Sequence, residues 1–215
     1  MKRVTISFDN GPSPGHTERI LERLAKHGIR SSFFVVGEEA VKPGARALME
    51  QTKAAGHWIA NHTLTHGDPL GSSEDAARAA TEIGDMQALL GDLVHPDRFF
   101  RPNAGGNIGK HLLSRAAVEY LADGGYTVVT WNNVPGDWIE PKLEWVDRAF
   151  ETMEQQPWSL LVIHDFLVAP MIDTLDRFIV GAKARGYEFV QEFPPDCLPM
   201  VRGRAMPLLT EVSNL

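Results

Sequence analysis

Short apolar runs alternate with longer amphipathic segments along this chain. The first run, VTISF at 4–8, alternates apolar and polar residues as a β-strand does, and a Gly-Pro breaker pair at 11–12 ends it. A helical pattern follows with Ile20 and Leu24 on one face, and SSFFVV at 31–36 is typical of a second strand. The chain therefore begins with β-α-β order.

The same alternation continues towards the C-terminus. Further helical patterns cover about 43–55, 73–90, 109–122, 143–153 and 171–185. Further strand patterns lie at 58–61, 99–100, 127–131, 159–164 and 188–190. Ser72 and Asp75 are expected to form a capping box before the second of these helices. About seven strands alternating with helices indicate an α/β fold with parallel strands, as an open sheet or a barrel. The last ~20 residues are expected to pack as an irregular tail.

Composition restricts the classes of protein to consider. A chain of 215 residues, 43% hydrophobic and 23% charged, suits one globular domain over 1–215. The net charge is -7, and the Lys and Arg residues are scattered rather than clustered. Neither nucleic acid nor an anionic membrane is therefore expected as a partner. No stretch approaches the ~20 apolar residues of a membrane span, and we expect a cytoplasmic protein. The single Cys197 is expected to be an inert thiol.

Polar side chains stand where the predicted strands end. Asp9 and Asn10 follow the first strand, although before Gly-Pro they are also ordinary turn formers, and alone they leave both interpretations open. The other strand ends carry ionisable or metal-binding groups, namely His62 and His66, Arg101, Asp137 with Trp138, and His164. Because the carboxyl ends of parallel strands share one rim, we expect these side chains to lie close together.

His62 and His66 have the spacing of a metal-binding pair. Separated by four positions, they are expected on one side of a helical turn, where two neutral imidazoles can share an ion such as zinc. Coincidental pairs of structural histidines are common, so a third ligand is needed before the pattern favours a metal site.

The remaining charged groups suggest acid–base chemistry. Arg101 and Asp137 could form a structural ion pair, and His164 could be a buried core histidine. On one rim, however, an arginine would keep Asp9 ionised and a carboxylate would keep His164 protonated. A general base and a general acid require these two states.

Five motifs in this order resemble those of a known family. They are FDNGP at 8–12, HTLTH at 62–66, RPNAG at 101–105, DW at 137–138 and the apolar run that ends in His164. As a set they resemble the polysaccharide deacetylases of carbohydrate esterase family four, which include chitin, chitooligosaccharide and peptidoglycan N-deacetylases. The resemblance implies a distorted (β/α) barrel of about seven parallel strands. It also implies hydrolysis of N-acetyl groups from amino-sugar oligomers or polysaccharides, with release of acetate.

The resemblance further implies roles for individual residues. Asp9 would be the catalytic base, oriented by Arg101, and His164 the general acid, paired with Asp137. A divalent metal, zinc or cobalt, would be held by position 10, His62 and His66. A backbone N–H in the loop after Arg101 would stabilise the oxyanion, and Trp138, Val162 and Ala104 would contact the substrate.

Two motifs depart from the pattern of the family. Asn10 replaces the usual second aspartate, so the metal site loses a charged ligand and its hold on a divalent cation should weaken. Asn103 and Ala104 stand where a proline and an aromatic residue are usual, which makes the sugar-facing wall smaller or more polar. These departures leave two alternatives, a metal-independent amidase acting on a small molecule and a catalytically silent saccharide-binding protein.

Overall fold

The computed structural model describes residues 2–215, whose strands form one curled sheet of mostly parallel strands. The strands are β1 Lys2–Gly11, β2 Ser32–Val35, β3 Trp58–Asn61, β4 Phe99–Phe100, β5 Thr127–Val128, β6 Trp158–His164, β7 Tyr187–Phe189, β8 Met200–Val201 and β9 Arg204–Ala205. The first seven lie where the sequence pattern predicts strands. The expected α/β fold is therefore confirmed.

Strand pairing curls the sheet towards a barrel. The order is β6-β1-β2-β3-β4-β5-β8-β9, and β7 pairs with the first residues of β1. Beyond β5 the chain reaches back to β6 through a parallel bridge between Asn133 and Leu161. In this bridge the Asn133 N–H donates to the Leu160 carbonyl at 3.2 Å, and the Val162 N–H donates to the Asn133 carbonyl at 2.9 Å. The sheet thus returns to its starting strand as a distorted barrel.

Helices cover the outside of the sheet. They are α1 Thr17–His27, α2 Gly37–Ala40, α3 Ala45–Ala54, α4 Ala76–Ala79, α5 Met86–Leu90, α6 Arg115–Asp123, α7 Trp145–Met153, α8 Asp165–Val168, α9 Asp173–Ala184 and α10 Leu209–Val212. A π-helical stretch, Ala80–Asp85, joins α4 to α5. Within residues 2–215, no helix combines the length and apolar character that crossing a bilayer requires.

Two helix starts differ from the prediction. The capping box at Ser72 is wrong, because Ser72 ends a short 3-10 turn and Asp75 is the actual cap, accepting a hydrogen bond from the Ala77 N–H at 2.9 Å. The helix predicted from 109 begins only at Arg115, where the Ser114 hydroxyl caps it. In both cases the helix begins directly after the residue whose side-chain oxygen accepts a hydrogen bond from an N–H of the first turn.

The predicted irregular tail is also wrong. β8 pairs antiparallel with β5 and β9, which adds an edge to the sheet. Leu209 and Val212 of α10 are buried, and the Leu113 N–H donates to the Val212 carbonyl at 3.1 Å. These elements are two to four residues long, too short for a periodic pattern to reveal them.

The alternation within β1 explains how a carboxylate reaches the barrel interior. Val4, Ile6 and Phe8 are buried in the apolar core that includes the helices, and each such side chain contributes about 1.5–3 kcal/mol. Successive side chains of a strand point to opposite faces, so Ser7 and Asp9 face the other way, where both are buried. The strand pattern thus directs Asp9 inward.

Candidate active site

Asp9 forms a buried ion pair with Arg101. Arg101 follows β4 and is 0% exposed; its Nη1 donates to Asp9 Oδ1 at 2.6 Å and to Ser7 Oγ at 2.9 Å. Its guanidinium lies 3.7 Å from the centre of the Phe34 ring. Burial lowers the pKa of Arg101, and the charge and hydrogen bond of Asp9 oppose that effect. The arginine therefore compensates and orients a carboxylate at the end of β1.

His62 and His66 lie beside this carboxylate. The His62 Nδ1–H donates to the Arg101 carbonyl at 2.8 Å, which fixes the tautomer and leaves Nε2, 3.5 Å from Asp9 Oδ2, as a lone-pair donor. The two imidazole centres are 5.0 Å apart. Burial lowers the pKa of His62 to about 4 and also lowers the pKa of His66. Both rings are therefore neutral at pH 7, the form that binds metals.

The two histidines do not share a helical turn, contrary to the prediction. They lie in a loop after β3 in which Thr63 (φ 69°) and His66 (φ 53°) adopt the left-handed conformation. The Glu82 carboxylate holds this loop, accepting hydrogen bonds from the Leu64 N–H at 3.0 Å, the Thr65 N–H at 3.0 Å and the Thr65 hydroxyl at 2.7 Å. Sequence reasoning missed Glu82, because nothing in its own helical pattern indicates a distant loop as its partner.

His164 and Asp137 form the second polar pair. The fully buried Asp137 accepts hydrogen bonds from His164 Nδ1 at 3.0 Å and from the His164 backbone N–H at 2.8 Å. Burial on its own would lower the pKa of His164, but the hydrogen bond and charge of Asp137, aided by Asp9 and Asp165, raise it. Trp138 packs with its ring centre 5.5 Å from that of His164.

A further buried carboxylate, Asp165, supports the loop after β1. It accepts hydrogen bonds from the hydroxyls of Ser13 and Thr17 and from the Phe166 N–H. Burial raises its pKa. A Cβ at Gly11 would lie 2.6 Å from Asp165 Oδ2, so the motif requires glycine at that position for close packing.

The predicted site residues meet at one cavity of about 260 Å³. Eight of them line it: Asp9, Asn10, His62, His66, Ala104, Trp138, Val162 and His164. Arg101 and Asp137 lie behind this lining, where each holds a partner in place. Four further lining residues, which sequence reasoning missed, form an apolar wall: Trp131, Val134, Phe166 and Leu167. A cavity with an apolar, partly aromatic wall and a few convergent polar groups is the usual form of a small-molecule site.

The side chains fit a divalent metal. Asn10 Oδ1 is buried without a hydrogen-bond partner among residues 2–215, and Asn10 lines the same cavity as His62 and His66. In the described part of the chain, no three His, Cys, Asp or Glu side chains form a metal-binding group, and the third candidate ligand, Asn10, is an amide. Two neutral imidazoles and an amide oxygen suit zinc or cobalt, although without a charged ligand.

The comparisons with known proteins agree with this geometry. A family model described as polysaccharide deacetylase matches residues 1–129. A peptidoglycan-N-acetylglucosamine deacetylase from Bacillus cereus is 25% identical over 193 residues, covering 88% of this chain and 85% of that protein. A chitooligosaccharide deacetylase from Sinorhizobium fredii is 30% identical over 167 residues, covering 75% and 71%. A family 4 acetyl xylan esterase from Clostridium thermocellum, solved with a cobalt ion, is 26% identical with a TM-score of 0.71 and 88% coverage of each chain.

Proposed function

Because this chain belongs to the polysaccharide deacetylase family, we propose that it removes N-acetyl groups from amino-sugar oligomers of the chitooligosaccharide or peptidoglycan type. The observation that carries the proposal is that the Asp9–Arg101 and His164–Asp137 pairs face one cavity. Amide hydrolysis requires a base that activates the attacking water and an acid that protonates the departing nitrogen, both next to the same amide group.

The proposed reaction begins with a water molecule at the carboxylate of Asp9. Asp9 takes a proton from this water as the water oxygen attacks the acetamide carbonyl carbon. Arg101 holds the carboxylate in position throughout, since its guanidinium is fully buried and donates to both Asp9 and Ser7. A backbone N–H of the loop after Arg101, which lines the cavity at 102 and 104–106, donates to the developing oxyanion.

The reaction ends with a proton on the departing nitrogen. The Nδ1–H of His164 is bound to Asp137, so Nε2 is the nitrogen that delivers a proton as the carbon–nitrogen bond breaks. The pKa of His164 is raised, which favours the imidazolium that this step needs. The products are acetate and a free amine on the sugar.

We also propose that the enzyme works with a divalent metal held by Asn10, His62 and His66. When bound, such an ion supplies Lewis-acid polarisation of the substrate carbonyl. The neutral state of both imidazoles and the unpartnered Asn10 oxygen support this assignment. The cobalt ion in the acetyl xylan esterase supports it as well.

The relatives do not favour the two alternatives considered from the sequence, the small-molecule amidase and the silent binder. The pairing of β1 with β6 and β7 joins both halves of the chain and supports one catalytic domain over 1–215. The net charge of -7 supports a saccharide rather than nucleic acid as the partner. The cytoplasmic location expected from the sequence stays a prediction.

Acetate release from N-acetylglucosamine oligomers and peptidoglycan fragments tests the proposal, with chelator in one series and added zinc or cobalt in the other. We expect release that chelator abolishes and metal restores. Asp9→Asn keeps the side-chain volume beside Arg101 and should reduce release to background. Release that chelator does not change would contradict the metal assignment, and no release from any of these sugars would contradict the proposed function.

A further inference from the structure

A second cavity of about 500 Å³ adjoins the catalytic one. Three residues, Asn10, His66 and Phe166, line both cavities, so the two adjoin at the side of the site that carries Asn10 and His66. A sugar placed with its acetamide in the first cavity would therefore have its neighbour along the chain in or near the second. A volume of this size accommodates one sugar unit.

The two cavities differ in chemical character. The first has the aromatic walls Trp131 and Trp138, whereas the remaining wall of the second is mostly polar. That wall comes from the loop after β1, α2 with the residues that flank it, and the loop that carries the histidines. It consists of Ser13, Pro14, His16, Val36, Glu38, Glu39, Lys42 and Thr65.

The charges of the second cavity do not cancel. Lys42 Nζ contacts both carboxylate oxygens of Glu39, at 2.5 and 2.6 Å. Glu38 is exposed and forms no ion pair with any cation of residues 2–215. With the histidines counted as neutral, the two carboxylates and one ammonium of this cavity sum to one net negative charge, in a chain whose net charge is -7. A divalent metal on Asn10 and His66 would add positive charge where this cavity meets the first, so the effect of Glu38 is measured with the metal removed.

We infer that Glu38 makes the second cavity select the unit next to the reacting sugar by charge, accepting a neutral or amine-bearing sugar and disfavouring a carboxylate-bearing one. This inference rests on the proposed function and narrows its substrate class. An N-acetylglucosamine or glucosamine neighbour has no negative charge, whereas the lactyl group of N-acetylmuramic acid does. Like charges in a partly enclosed site repel each other, and the field of an acidic protein adds to that effect.

Three disaccharides of similar size test the inference, each with N-acetylglucosamine as one unit. The second unit is N-acetylglucosamine, glucosamine or N-acetylmuramic acid with a free carboxylate. Saturation-transfer NMR at low ionic strength gives the Kd of each sugar in the presence of chelator, which removes the charge of the metal and stops turnover, and the acetate methyl signal in a parallel sample with added zinc reports turnover. We expect the muramic acid disaccharide to bind about 2–5-fold more weakly than the neutral one, and the difference to shrink in about 0.5 M salt.

Charge reversal at Glu38 is the decisive variant. Glu38→Lys should abolish or invert the discrimination, and Glu39→Gln should weaken it because it releases Lys42. The matched control is Glu151→Lys, which makes the same change of charge on an exposed position of α7 that lines neither cavity. An unchanged order of Kd values in Glu38→Lys would overturn the inference, and so would an equal change in the control.

The same experiment separates the inference from the proposed function. The order of binding constants decides whether Glu38 selects by charge, whether or not acetate appears. The acetate signal decides whether the chain deacetylates these sugars. Acetate release, together with equal Kd values for the neutral and the carboxylate-bearing disaccharides, would support the proposed function and overturn the inference.

Discussion

Asp9 and Asn10 are adjacent residues in very different electrostatic surroundings. Asp9 has Arg101 at 2.6 Å, whereas the buried side-chain oxygen of Asn10 has no partner among residues 2–215. An unpaired buried acceptor costs about 1–3 kcal/mol unless something binds it. At the scale of single residues, position 10 is therefore where a metal ion would relieve an unfavourable arrangement.

Asn10→Asp should tighten metal binding. The substitution adds a negative charge to a set of neutral ligands, and aspartate tolerates the left-handed backbone at this position (φ 68°). We expect zinc affinity to rise about tenfold, which corresponds to roughly 1.4 kcal/mol, in a calorimetric titration. Asn107→Asp, on an exposed asparagine, is the control. Equal affinities for Asn10→Asp and the unaltered chain would show that position 10 does not face the metal.

Asp137→Asn should change the pH dependence of activity. The raised pKa of His164 extends the imidazolium to higher pH, and the proton is lost as pH rises through that pKa. Without the carboxylate the pKa falls, so the alkaline limb of kcat/KM should move to lower pH, and kcat should drop about 10²–10⁴-fold. Asp147→Asn, on an exposed aspartate of α7, is the control. An unmoved alkaline limb would contradict the role of His164 as general acid.

Two separate elements define the loop that carries His62 and His66, the histidine loop. The loop after β3 carries both histidines, and the π-helical stretch Ala80–Asp85 supplies the carboxylate that holds it. Such π-helical turns occur often at functional sites. At the scale of elements, Glu82 is a positioning residue for the histidine loop, since it bonds that loop and lines neither cavity.

Glu82→Ala should loosen this loop. Three hydrogen bonds disappear, so we expect a loss of about 1–3 kcal/mol in the free energy of unfolding. Metal affinity should fall about 10–100-fold, as is usual when the groups that orient ligands are removed. Glu119→Ala, on an exposed glutamate of α6, is the control. If Glu82→Ala bound zinc as tightly as this control, the loop would not depend on Glu82.

At the scale of the whole molecule, a single bridge brings the sheet back to β6. Asn133 makes this bridge with its backbone, and its buried side chain donates to the Ala149 carbonyl at 3.0 Å and to Ser159 Oγ at 2.9 Å. β6 leads directly to His164, and the chain beyond Asn133 leads to Asp137. The closure of the barrel therefore brings Asp137 next to His164.

Asn133→Ala should destabilise the fold. The substitution removes two buried hydrogen bonds, which together contribute about 1–3 kcal/mol. Urea unfolding should show a lower midpoint at an unchanged m value. The exposed Asn107→Ala should stay within about 0.5 kcal/mol of the unaltered chain. A similar midpoint for both variants would mean that the closure does not depend on this side chain.

Local pattern predicted those parts of the molecule that depend on near neighbours. Alternation in β1 places Ser7 and Asp9 on the inner face, and the succession of strands and helices indicates parallel strands whose carboxyl ends meet. This was sufficient to anticipate an α/β fold and the polar side chains at the strand ends, whereas Val162 and Ala104 were expected from the family resemblance. The net charge of -7 made nucleic acid an unexpected partner, which stays a prediction, and a charge count needs no three-dimensional information.

Only the tertiary structure decided the conformation of the histidine loop, the support from Glu82, the second cavity and the β8–β9 hairpin near the C-terminus. The left-handed backbone of Thr63 and His66 is stabilised by partners elsewhere in the chain, and the two cavities share a wall only because separate loops pack together. By itself the sequence determined which chemical groups are available and at which strand ends they lie. Their distances and pairings depend on contacts between residues far apart in the chain, which a local pattern does not contain.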